Sequence, residues 1–134
     1  MSDWNTAVIA EFRASQGRVE QFGDAPLVIL HTIGARSGTV REIPLVMLLD
    51  GDRRFVFASA AGAPRHPDWY HNLVAHPEID VAYGTETLRA RLVALDEAES
   101  APRLAQQAEL MPHFGDYVTS AAPRRIPCFE IVAV

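Results

Sequence analysis

Lysine is missing from this chain: all 12 of its Lys+Arg cations are arginine. Without a side-chain primary amine there is no Schiff-base nucleophile, no pyridoxal-phosphate anchor and no phosphate-binding loop ending in Gly-Lys-Ser/Thr. Cysteine is nearly absent too. Cys128 stands alone, which excludes disulfide scaffolds, cysteine zinc sites and cysteine-held iron–sulfur clusters, and suits a reducing cytoplasm. No apolar run approaches about 18 residues, so no transmembrane segment is expected, although peripheral contact with a membrane stays open. The opening residues, MSDWNTAVIAEFRASQG, interleave Asp3, Glu11 and Arg13 with apolar side chains and show no signal-peptide core. Positive charge is outweighed: 17 acids leave a net −5, a field that repels polyanions and argues against generic nucleic-acid binding.

What is present is 134 residues with a hydrophobic fraction of 49%, enough for one globular domain over residues 1–134 with a single modest core. Ala7, Val8 and Phe12 follow Trp4 at three- and four-residue intervals, which predicts a helix over about 3–16 ended by Gly17. LVILHTIG (27–34), IPLVMLL (43–49) and RFVFASA (54–60) read as strands, with a longer turn from Gly34 to Gly38 and a hairpin at Asp50-Gly51. HPDWYHNLVAH predicts a short helix with Pro67 at its first position. EIDVAY and TLRARLVAL, joined at Gly84-Thr85, are further strands. Asp96 is an N-cap for a polar helix towards Leu110 with Pro102 near its first turn, and IPCFEIVAV closes the chain as a strand. The fold class is therefore mainly β with peripheral helices, about six antiparallel strands closed into a barrel.

Conventional catalytic patterns are lacking. His66, His71 and His76 are spaced by five, about 140° apart on a helix, so they do not converge on a metal, and no metal site is expected. Neither Ser37 nor Ser59 lies in a Gly-x-Ser-x-Gly elbow, and Cys128 reads as a small buried apolar residue. Charge placement is more informative. From His31 to His66 the balance is +2, while the remainder carries −7. Arg36 and Arg41 flank Ser37 and Gly38 in a turn that either clamps an anion with guanidiniums and backbone N–H groups or is a solvated tip whose arginines pair with nearby acids. The small residues of ASAAGAPRHPDWYHNL either let a planar ligand approach the backbone beside a helix start or form a plain strand-to-helix connection.

Three segments, HTIGARSGTVREIPL, FASAAGAPRHPDWYHNLVAHPEIDV and RRIPCFEI, together resemble the deazaflavin-dependent nitroreductase family of actinobacteria. The likeness covers nearly the whole chain. It implies a split β-barrel oxidoreductase holding coenzyme F-420, a deazaflavin with a phosphate and an oligoglutamate tail. Carried over by position, Ala35, Arg36, Ser37 and Arg41 hold phosphate and tail, with Arg36 where lysine is common. Phe57, Ala58, Ser59 and Ala60 run along the ring system, and Asp68, Trp69 and Asn72 form the helix start beside it. Ala60 replaces a frequent lysine, with Arg65 as a candidate substitute. Met111, Phe114 and Tyr117 stand where a C-terminal loop often presents three tyrosines to the substrate, leaving Tyr117 or Ser59 as proton donor. The implied reaction is hydride transfer to an activated C=C of an enone, unsaturated lactone or quinone, in a cytoplasmic monomer or homodimer acting on hydrophobic small molecules. The rival readings are an FMN-binding split-barrel oxidoreductase and a non-catalytic F-420 carrier.

Overall fold

The computed structural model describes residues 3–16, 18–22 and 25–134. Four helices, α1 (Asp3–Ala14), α2 (Asp68–Ala75), α3 (Glu97–Leu110) and α4 (Pro112–Ala121), surround seven strands. The strands are β1 (Leu27–Ile33), β2 (Val40–Val46), β3 (Leu48–Asp50), β4 (Arg53–Phe57), β5 (Glu78–Tyr83), β6 (Glu86–Ala94) and β7 (Cys128–Ala133). They form one sheet in the order β2-β1-β5-β6-β7-β4-β3, antiparallel at every pairing.

That order makes the sheet curl. β2 and β3 occupy opposite edges, yet only Met47 separates them, so the two edges come within about 7 Å at that point. A sheet whose edges meet at one end and part at the other is a split barrel. The expected strand over 43–49 is thus two strands, bringing the count to seven rather than six. The Met47 N–H, donated to Pro26 O at 2.8 Å, fixes the crossing. Pro44, in the middle of β2, fits because β2 is an edge strand that can spare a ladder donor.

Strand alternation builds three cores. Val28, Leu30, Val56, Ile79, Val81 and Phe129 point into the barrel and are fully or almost fully buried. Their neighbours Leu27 and Ile29 face outward under Val8, Ile9 and Phe12 of α1, while Phe55, Phe57 and Cys128 face outward under α3 and α4. Burial on both faces explains why β1 is a continuous apolar run instead of an alternating one. α2 packs on the barrel through Leu73, Trp69 and Tyr70, the two aromatics lying 6.4 and 5.9 Å from the Phe129 ring.

Local signals largely have their predicted effect. Asp96 caps α3, its carboxylate accepting the Glu99 N–H at 2.9 Å, and Gly84 turns β5 into β6 with φ +53°. Pro67 is the N-cap of α2 and lies one residue before its first helical position. Pro102 lies within α3, beyond its first turn. The expected packing of Trp4 and the Gly17 stop lie outside the described residues. The larger difference is at 112–121, expected as a loop and found as α4: Pro112 starts it and its apolar face packs over β4. Among the described residues no helix is long and apolar enough to cross a membrane.

Candidate active site at the split of the barrel

Two adjoining cavities open along the split. The first, about 350 Å³, has the β2 edge from Ile43 to Val46 on one side and Ser59, Ala60 and Ala61 on the other, with Trp69 and the α3–α4 residues Gln107, Met111, Phe114 and Tyr117 completing its walls. The second, about 410 Å³, is formed by the β1–β2 turn (Gly34 to Ser37), Arg41 and the α2 residues Asp68, His71 and Asn72. Strand β2 and helix α2 contribute residues to both.

The turn is pinned by its own bonds. Gly34 N–H donates to Thr39 O at 2.9 Å, Gly38 N–H to Gly34 O at 2.9 Å, and Thr39 N–H to Ser37 Oγ at 3.2 Å. Asn72 Oδ1 accepts the Ala35 N–H at 3.0 Å and ties the turn to α2. A Cβ on Gly34 would lie 2.5 Å from Ser37 Oγ and would make that side chain turn away. The backbone N–H groups of Arg36 and Ser37 are left without a protein acceptor among the described residues.

Most arginines elsewhere are engaged: Arg13 with Glu42, Arg53 with Glu130, Arg89 with Asp80, Arg91 with Glu78, Arg103 with Asp50 and Arg125 with Glu97. Arg36 and Arg41, both exposed, have no acidic partner among the described residues. The turn thus presents two unclaimed N–H groups and the Arg36 guanidinium, and the unpaired Arg41 guanidinium lies beside them at the start of β2.

The opposite wall is shaped by strain and by a cation outside the predicted set. Ala60, Ala61 and Gly62 run successively at φ +49°, +52° and +81°, a conformation costing about 1–2 kcal/mol per alanine. Gly62 lies against the α4 backbone, where a Cβ would come within 3.0 Å of Tyr117 Cα. Arg124, following α4, holds this loop. Its guanidinium donates to Ala63 O (2.8 and 3.0 Å), Ser59 O (2.8 Å) and Ala58 O (3.1 Å), and contacts His66 Nδ1 at 3.0 Å. Arginine can only donate, so Nδ1 accepts and neutral His66 carries its proton on Nε2. Burial, then the charges of Arg124 and His71, hold the His66 pKa below its ordinary value, and burial lowers that of Arg124.

The predicted residues therefore divide. Arg36, Ser37, Arg41, Asp68, Asn72 and Ala35 line the anion cavity, though the Ala35 N–H is already taken. Ser59, Ala60, Trp69, Phe57, Met111, Phe114 and Tyr117 line the apolar one. Ala58 lines neither: it is fully buried, its N–H donates to Pro127 O at 2.9 Å and its carbonyl is held by Arg124, so its backbone is spent on the fold. Arg65 also lines neither cavity. Among the described residues no three His, Cys, Asp or Glu side chains are grouped to hold a metal. His71, Gln107 and Arg124 were missed. Gln107 had a signal, a polar side chain on the apolar face made by Leu104, Ala108 and Met111. Nothing local distinguishes Arg124 from Arg125.

Curled sheet, helical cover and groove at the split define a split-barrel protein. A solved "F420-H2 Dependent Reductase (FDR-A)" shares the architecture with a TM-score of 0.70 and 32% identity, over 79% of this chain and 93% of that one. A chain described as a domain-swapped dimer matches with a TM-score of 0.72 and 30% identity, over 96% and 97%. The chain belongs to the F420H(2)-dependent quinone reductase family, whose model matches residues 4–131. It is 39% identical over 77 residues to the F420H(2)-dependent quinone reductase Rv1261c of Mycobacterium tuberculosis, a match covering 56% of this chain. The chain spans about half the length of the curated relatives it matches, 52% for that one. Members of this family are oxidoreductases named for reduced F-420.

Proposed function

We propose that this protein transfers a hydride from reduced coenzyme F-420 to quinones and related activated C=C compounds such as enones and unsaturated lactones. The observation that carries the reading is the pairing of an anion cradle, with unpaired Arg36 and Arg41, with an apolar slot that shares strand β2 and helix α2 with it. The fit to F-420 is chemical at both ends. A phosphate and glutamate tail needs the two guanidiniums and the unclaimed N–H groups of Arg36 and Ser37, and a flat ring needs a slot walled by Ile43, Leu45, Trp69 and the small Ala60 and Ala61.

When bound, the cofactor supplies the hydride from its reduced C5. The protein supplies position and dryness. The left-handed Ala60–Gly62 segment keeps side-chain bulk off the slot, and the Phe57–Phe114 pair, 5.1 Å between centroids, closes it from below. Met111 and Phe114 exclude water from the reacting faces. Ser59 Oγ and the Tyr117 hydroxyl border the slot, and one of them hands a proton to the reduced substrate. Tyr117 is oriented by the rings of Phe114 and His113, at 6.2 and 5.4 Å. Hydride transfer with a separate proton needs no buried acid–base pair, consistent with the composition of the slot.

Fluorescence titration with F-420, followed by steady turnover of menadione with reduced F-420, tests the proposal. Micromolar binding and turnover are expected. Absence of binding refutes it, co-purified FMN favours the other cofactor, and binding without turnover of any quinone or enone favours a carrier. The dimeric relative supports a homodimer, which light scattering decides.

A further inference from the structure

The apolar slot contains a buried polar side chain that the fold barely uses. Gln107, on α3, is only 4% exposed and occupies the helix face that Leu104, Ala108 and Met111 otherwise make apolar. Gln107 lines the slot, with its Nε2 beside the sulfur of Met111, another lining residue. The only bond of that amide among the described residues is a weak one, Nε2 to Met111 Sδ at 3.1 Å. One Nε2 hydrogen and the whole of Oε1 have no protein partner. No fully buried side-chain nitrogen or oxygen among the described residues lacks a partner, so the unpartnered atoms of this amide are its accessible ones, where a leucine would only extend the apolar stripe. The amide is the natural partner of a ligand oxygen entering the slot.

We infer that Gln107 is a substrate-recognition residue, its Nε2 donating a hydrogen bond to one carbonyl oxygen of a quinone. This rests on the proposed reductase function and narrows it: within the accepted C=C compounds, the slot selects those presenting a carbonyl to α3. The hydride adds two electrons and one proton to the quinone, reducing it and leaving one phenolate oxygen. A proton from Tyr117, Ser59 or solvent completes the hydroquinone. Gln107 gives a hydrogen bond and no proton, and its free Oε1 can accept the hydroquinone O–H that forms. It therefore holds both the oxidised and the reduced oxygen without changing charge.

Two variants test this, Gln107→Leu, which removes all polarity, and Gln107→Glu, which keeps the shape but puts an acceptor-only carboxylate beside an acceptor oxygen. Menadione affinity is measured by calorimetry on the protein with oxidised F-420, alongside the F-420 affinity itself. The expected result is a loss of about 5- to 10-fold in menadione affinity for Gln107→Leu and more for Gln107→Glu, at unchanged F-420 affinity. Gln107→Leu should melt no lower than the wild type, because the amide contributes little to the fold. Menadione affinity unchanged in both variants overturns the assignment, as does a melting temperature of Gln107→Leu that falls along with F-420 affinity, which makes Gln107 structural. Failure of the wild type to bind F-420 instead refutes the cofactor reading, and menadione titration of the cofactor-free protein then still decides the role of Gln107.

Discussion

Replacing Arg124 by methionine keeps an apolar stem of similar reach and deletes every donor to the Ala58–His66 loop. Ser59 O retains the Gly62 N–H at 2.9 Å, so its loss is partial. Ala58 O and Ala63 O have no other donor, and Ala58 is fully buried, so water cannot take over the bond. Orphaning the buried Ala58 carbonyl costs about 1–3 kcal/mol and the half-buried Ala63 carbonyl less, and release of the desolvated guanidinium returns part of it, for a net loss of about 2 kcal/mol. With an unfolding entropy of about 2 cal/mol/K per residue over this chain, the melting temperature falls by about 7 °C. Arg124→Lys, with one ammonium for several acceptors in different directions, recovers only part of that. Because the same loop carries Ser59, Ala60 and Ala61 into the slot, F-420 affinity should fall with stability even at temperatures where the variant is fully folded. Circular dichroism melts and fluorescence titration at 15 °C measure the two effects. A shift below 2 °C with unchanged F-420 affinity would falsify the account of Arg124 as the clamp of this wall.

Arg36→Ala and Arg41→Ala should each weaken F-420 binding about 3- to 10-fold at low ionic strength, with the difference shrinking as salt is added, because both side chains are exposed. Salt-independent or unchanged affinity would remove them from the tail cradle. His66 has a folded pKa below the ordinary 6.5, so as pH falls through 6.5 the unfolded chain takes up a proton that the folded chain refuses. Stability should therefore drop from pH 7 to pH 5.5 and be insensitive to this group at higher pH. His66→Gln, which can still accept from Arg124, should flatten that part of the profile in melts across pH, and an identical profile would show that another group is responsible. Burial pushes the Cys128 thiol up to about 12, so Ellman's reagent at pH 8 should not react with the native protein and should titrate one thiol after unfolding. Rapid native reaction would contradict its place beneath α3 and α4.

How much of this could be read from the chain depends on the range of the forces involved. Strands β1, β5, β6 and β7 follow from short-range patterns of β-formers between glycine or proline stops, and the cap at Asp96 and the turn at Gly84 need only their immediate neighbours. Most of the predicted cofactor residues also lie at the two cavities, because the motifs that carry the family resemblance are contiguous stretches. Helix α4 was not legible: PHFGDYVTSA contains a glycine and two β-branched residues, all weak helix formers, and it is helical because Phe114 and Ala121 bury against Phe57 and its neighbours. The break in IPLVMLL at Met47 carries no glycine or proline and is imposed by the meeting of two sheet edges.

The sequence by itself determined the chemistry that is available: an acidic, lysine-free chain must meet an anion with arginine, and one contiguous motif placed Arg36 on the turn and Arg41 at the start of β2. Only the tertiary structure decided which arginines are free to do so. Pairing depends on what the folded chain brings near: Arg53 meets Glu130 77 residues away, Arg124 meets carbonyls more than 60 residues back, and Arg36 and Arg41 meet no acid. Likewise the sequence contains Gln107 as one polar residue in a helix, and the curl of the barrel turns it into a buried amide facing an apolar slot. Side-chain identity is local, but desolvation and pairing are properties of the assembled core.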